Sequence, residues 1–310
     1  MVHTLPTKAR VAKKLSITMK RLYILLVALC STLTVGAQEY SLPAIDARSL
    51  GMGGVEMTSV AGAHTLYSNA AMTAFSAFPA KISTSYYGQA DFDYYGVSGY
   101  LRCGGSHVVQ AGWRQYLRKK GNNDSALDLG YTYRIGEDWA VGLVGRYMHL
   151  KRYEESADAL AVDLAVAWQH GVETLGEFSW IRVGAKLTNL GGFLSNTPYD
   201  LPINLKVGAA LDSYLSDAHQ ITVGLDLGYC FTPSAVRGFE AALGAEYTLM
   251  QLIRLRAGYH LGESKSYTPS FGSIGAGISL LHMRVDFAYL LAEKGSFLRN
   301  TYSISFGLDF

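Results

Sequence analysis

"TYSISFGLDF", residues 301–310, alternates without interruption. Tyr302, Ile304, Phe306, Leu308 and Phe310 fall on one side of an extended chain, and Thr301, Ser303, Ser305, Gly307 and Asp309 on the other. A period of two with unlike faces specifies a β-strand. The same division recurs at Ile221, Val223, Leu225, Leu227 and Tyr229 against Thr222, Gly224, Asp226 and Gly228. It recurs again at Val285, Phe287, Tyr289 and Leu291 against Arg284, Asp286 and Ala288.

Followed back to Lys81, the pattern gives fourteen such segments, among them Asp158–Trp168, Phe178–Leu190 and Leu201–Leu211. Each is long enough for the roughly 9–11 tilted residues that cross a bilayer, and no internal segment approaches the ~20 apolar residues of a membrane helix. A soluble sandwich would bury the apolar faces, whereas an outer-membrane barrel turns them to lipid and encloses the polar ones. Loop lengths favour the barrel. Connections at 115–125, 151–157, 191–200, 230–238, 263–270 and 293–300 are long, while those at 103–104, 136–138, 250–251 and 282 are tight turns. Long loops on one rim and short turns on the other are the pattern of a bacterial barrel. Two connections fit it poorly: the first outer turn is short, and the inner one at 169–177 is long. Trp139, Trp180 and Tyr302 near strand starts, and Trp168 and Tyr229 near strand ends, suit the two lipid interfaces. The sequence therefore predicts an all-β membrane barrel of about fourteen antiparallel strands over residues 81–310. Its last strand must pair with its first, because lipid offers no partner to an open sheet edge.

The enclosed faces carry charges of both signs: Asp128, Asp163, Arg182, Lys186, Lys206, Asp226, Glu246, Arg254, Arg256, Arg284 and Asp286. Charges in a low-dielectric interior need partners, so the first expectation is ion pairing that holds the wall together. No ring of one sign appears, which argues against a strongly ion-selective pore.

Ahead of the barrel, Met19-Lys20-Arg21, the apolar run from Leu22 to Leu29 and the small residues Val35-Gly36-Ala37 form a secretory signal pattern within residues 1–37. Met19 is the better initiator, and a lipoprotein reading through Cys30 is disfavoured by Leu29 before it. Those 37 residues hold six basic and no acidic side chains, so the remainder carries 21 basic against 25 acidic. That balance excludes a nucleic-acid footprint. Of the cysteines left, Cys103 and Cys230 have no metal-binding spacing and read as two separate small residues rather than a pair.

Residues 38–80 either hang in the periplasm or fold back into the lumen. Their small residues suit the second option, with Ala70, Ala71, Met72, Ala74 and Phe75 able to form a short helical plug. Here Asp46-Ala47-Arg48-Ser49-Leu50-Gly51-Met52-Gly53-Gly54, followed by Leu66-Tyr67-Ser68-Asn69-Ala70-Ala71, resembles the opening motif of PorV/PorQ-type proteins, relatives of the FadL-like outer-membrane barrels. Ala70 replaces the proline usual in that motif. The resemblance implies fourteen strands with an N-terminal hatch inside the lumen, and makes Asp46, Arg48, Gly51, Gly53 and Asn69 hatch determinants. It also implies an accessory role in type IX protein secretion, with secretion-system proteins or secreted cargo as partners beside outer-membrane lipid. The loop at 191–200, carrying Phe193, Leu194 and Tyr199, is the candidate contact surface. The alternative is a FadL-like channel for hydrophobic small molecules. Catalysis is not expected: Ser106 and His107 are adjacent, so on a strand they point to opposite faces, and no nucleophile-elbow motif occurs. The glycines at 51–54 lack the spacing and the lysine of a phosphate loop. No catalytic, cofactor-binding or metal-binding residue is assigned.

Overall fold

The computed structural model describes residues 46–310 other than 90–91, 119–122, 153–154, 174–175, 196, 198–199 and 264–267. The leader at 1–37 lies outside the described residues. Among them, fourteen antiparallel strands form a closed barrel: β1 (Ala80–Gly88), β2 (Phe92–Cys103), β3 (His107–Arg118), β4 (Asn123–Ile135), β5 (Trp139–Arg152), β6 (Glu155–Val172), β7 (Phe178–Phe193), β8 (Asn204–Ser216), β9 (His219–Cys230), β10 (Gly238–Leu249), β11 (Ile253–Gly262), β12 (Phe271–Leu280), β13 (Met283–Leu291) and β14 (Tyr302–Asp309). Closure is made by β1 and β14, with Thr84 opposite Phe306 and Lys81 opposite Asp309.

The two faces separate as the period requires. On β4, Leu127, Leu129, Tyr131, Tyr133 and Ile135 are exposed, while Ala126, Asp128 and Thr132, of the opposite parity, are buried. The outward set is the apolar band that meets acyl chains, as in outer-membrane barrels. One rim is drawn tight by turns at 104–106, 136–138, 217–218, 250–252 and 281–282, and the other carries the connections at 194–203, 231–237, 263–270 and 292–301.

Several strands run further than their apolar pattern: β3 reaches Arg118, β4 begins at Asn123, β5 reaches Arg152, β6 begins at Glu155 and ends at Val172, β7 reaches Phe193 and β8 reaches Ser216. The spans expected as long loops at 115–125 and 151–157 are thus largely strand, with Gln115 opposite Ser125 and Lys151 opposite Ser156. Most of these extensions lack the regular apolar and polar alternation, so little in the sequence marks them. They shorten the inner connection expected at 169–177 to residues 173–177. Cys103 is exposed and Cys230 buried, and the two form no disulfide.

Residues 46–79 run inside the barrel. A short helix at Ala47–Gly51 and one turn at Thr65–Ser68 precede a 3-10 turn at Ala70–Phe75. Ala47, Leu50, Ala63, Leu66, Ala70, Ala71 and Met72 are fully excluded from solvent. Small residues allow this closeness. Gly244 and Gly258 face one another across β10 and β11, and a Cβ on either would overlap Met52.

Candidate functional site

The lumen is the candidate site, and it is built in three levels. The middle level is ionic. Asp128 on β4 takes Arg114 at 2.8 Å and Arg146 at 2.6 Å. Arg146 also reaches Asp163 at 2.7 Å, and Lys186 closes on the same carboxylate at 3.1 Å. A second group links Arg48 of the inner segment to Glu246 at 3.1 Å, Arg256 to Glu246, and Asp286 to both Arg256 at 2.8 Å and Arg284 at 2.9 Å. The pairs tie neighbouring strands, and they also tie the wall to the segment inside it. Lys206 bridges Glu240 of the wall and Glu56 of the segment, both at 3.0 Å. Asp226 accepts the backbone N–H groups of Glu56 at 2.7 Å and Met57 at 3.0 Å. Arg182 pairs with Asp212.

Wall hydroxyls hold the segment's backbone as well. Ser305 accepts the N–H of Ala47 at 2.9 Å, Ser273 that of Gly53 at 2.8 Å, and Ser83 that of Ala63 at 3.0 Å. The Asn69 side chain accepts from the N–H of Ala71 at 3.1 Å and donates to the carbonyls of Met57 at 3.0 Å and Val166 at 3.2 Å. The Ala70 carbonyl takes Thr132 at 2.8 Å and Gln110 at 3.1 Å. Buried backbone groups without water must find such partners. Gly53, at φ 73°, sits in the left-handed region with Tyr259 backbone against it. Gly51 lies against Gly275, and Asp46 accepts from the Ser49 hydroxyl at 3.3 Å.

The loop-rim level is apolar over most of its circumference. Tyr87, Tyr94, Tyr116, Phe271 and Leu290 converge on Leu298, which descends from the 292–301 connection and is fully buried. Beside them, Met148, Leu150, Ala159, Ala161 and Leu201 form an aliphatic cluster. Lys206, Glu240 and His260 occupy the remaining arc. Phe193 is half-buried against the aliphatic cluster and not part of an exposed patch, because β7 continues through it. Leu194 is exposed, and Tyr199 lies outside the described residues.

Behind the aliphatic cluster the wall is irregular. Between Val162 and Leu164 the pairing of β6 with β7 slips by a residue, and Asn189 takes φ 59° at the bulge. On the lipid side a groove of about 470 Å³ runs over this region, lined by Leu127, Leu129, Gly145, Tyr147, Leu160 and Leu190, with Arg146 also contributing to it. A Cβ on Gly145 would meet nothing within 4 Å. The third level, at the tight-turn rim, is a polar vestibule of about 260 Å³.

Arg114 and Arg146, central to the ionic level, are absent from the charges singled out in the sequence. The signal was present: Arg146 shares its parity with Gly142, Val144 and Met148, opposite to the outward Val141, Leu143 and Tyr147. The bulge had none.

No protein-family model matches this sequence, and no characterised protein matches it in sequence. The fold does have counterparts among solved structures. The Pseudomonas putida toluene transporter TodX superposes with a TM-score of 0.60 at 12% identity, over 87% of this chain and 99% of that one. The Ralstonia pickettii toluene transporter TbuX gives 0.54 at 12% identity, over 87% and 99%. A Pseudomonas aeruginosa FadL homologue gives 0.55 at 8% identity, over 87% and 99%. The chain thus has the fold of the FadL-type barrels of the bacterial outer membrane, and its lipid-facing band fits that membrane.

Proposed function

We propose that the chain is a non-enzymatic outer-membrane channel for small hydrophobic molecules. The observation that carries the reading is the coincidence, on β4–β7, of an apolar inner cluster, a register slip and an apolar groove on the lipid side. A hydrophobic solute would enter the loop rim among Tyr87, Tyr94, Met148 and Leu201. It would then pass sideways where Gly145 and Ala161 leave the wall thin, along the upper edge of the ionic level that Arg146, opposite Ala161, marks, without descending through that level to the tight-turn rim. Desolvating an apolar molecule there costs little, whereas the charge network under it excludes the same molecule.

The relatives in fold support this alternative over a docking role in type IX secretion, since they are described as toluene transporters and a FadL homologue. Asp46, Arg48, Gly51, Gly53 and Asn69 act in this reading as the residues that seat the hatch. The test is uptake of a radiolabelled monoaromatic hydrocarbon by cells with and without the chain. Faster uptake with the chain supports the reading, and equal rates remove it.

A further inference from the structure

The vestibule at the tight-turn rim is separated from the apolar level by the ionic one, and the channel reading does not use it. Five cations and three carboxylates line it. Four of the cations have acidic partners: Lys81 with Asp309 at 3.3 Å, Arg284 with Asp286, Arg48 with Glu246, and Arg182 with Asp212. Arg254 has none among the described residues. Its guanidinium donates to the Ser279 hydroxyl and, at 3.5 Å, to the Gln251 carbonyl.

Glu246 and Asp286 act on it only from beyond ion-pair distance, so its positive charge is partly compensated, and the two neutral acceptors leave further donors of the fork unused. The register places two ion-paired cations close by. Ser279, which Arg254 contacts, stands opposite Arg284 on β13, and Arg284 stands opposite Gly307 on β14, beside the Lys81–Asp309 pair. A partly enclosed, low-dielectric space with excess charge of one sign concentrates the opposite ion. A guanidinium with free donors binds carboxylate or phosphate oxygens through two parallel bonds.

The geometry points to a binding site for a small oxyanion in this vestibule, with Arg254 as its principal ligand and the ion-paired Arg284 and Lys81 beside it as further N–H donors. The space is below the roughly 300–1,000 Å³ of drug-sized pockets, so the ligand is no larger than about a benzoate. The site is independent of the hydrophobic path and opens toward the tight-turn side. Because hatch residues Arg48, Ser59 and Ala61 share the lining, a bound anion joins hatch to wall and stabilises both by linkage.

The test is titration calorimetry on the full folded chain in zwitterionic detergent at low ionic strength, with inorganic phosphate and with benzoate. Saturable binding of at least one probe, weakened at least about tenfold by Arg254→Gln, is the expected result. A preference for phosphate or for benzoate tells which oxyanion the site takes. Arg254→Lys keeps the charge but loses the fork, so it is expected to bind with a changed preference between the two probes. It decides the matter if Arg254→Gln does not give heat-modifiable, folded protein. No saturable heat with either probe, or binding unchanged by both substitutions, overturns the proposal.

Discussion

The Asp163 carboxylate accepts the backbone N–H of Asn189 at 2.8 Å, at the point where β6 and β7 lose register. The same carboxylate holds Arg146 and Lys186. One fully buried acid thus closes the bulge from inside and anchors the ion network of the middle level.

Asp163→Ala is therefore expected to cost about 3–5 kcal/mol, the usual cost of leaving buried charges without their partner. Denaturant unfolding of the lipid-embedded barrel measures it. Asp158, which pairs with His149 at the exposed loop rim, provides the contrast: Asp158→Ala should leave the unfolding midpoint in place.

Gly53→Ala should unseat the hatch. A Cβ there would stand 2.8 Å from the Tyr259 carbonyl carbon at a φ of 73°. Left-handed backbone costs roughly 1–2 kcal/mol for an L-residue, and overpacking adds about 1–3 kcal/mol. Gly136, at φ 65° with nothing near its Cβ position, bears only the first cost. Permeability to a small hydrophilic probe in proteoliposomes should rise for Gly53→Ala and stay at the wild-type level for Gly136→Ala.

How much of this could be read beforehand follows from where the physical signal lies. The barrel was legible because lipid outside and charge inside force a two-residue period on every strand, most plainly from Tyr302 to Phe310. Glu155 to Ala157 and Gln169 to Val172 were missed as strand because they lie beyond the band where the two faces must differ. The partners of the inner segment were out of reach for another reason: Arg48 and Glu246 are 198 residues apart, and only closure brings them together. A bulge at Asn189 leaves no trace in a hydrophobic pattern, since it is a matter of register between two strands.

Leu298→Ala should loosen the 292–301 connection. Truncating a fully buried leucine commonly costs about 2–5 kcal/mol, and here the loss falls on the docking of one loop against Tyr87, Phe271 and Leu290. Limited proteolysis within 292–301 should accelerate while the barrel keeps its heat-modifiable migration. Hydrocarbon uptake should rise, because the side chain that fills the apolar level is shortened.

The hydrophobic path through the wall is tested most directly by Gly145→Leu. The added side chain meets no steric obstacle at its Cβ and fills the lipid-side groove. Uptake of a small apolar probe should fall toward the rate of cells lacking the chain, with folding and membrane insertion unchanged. Uptake by the leucine variant at the full wild-type rate would contradict it.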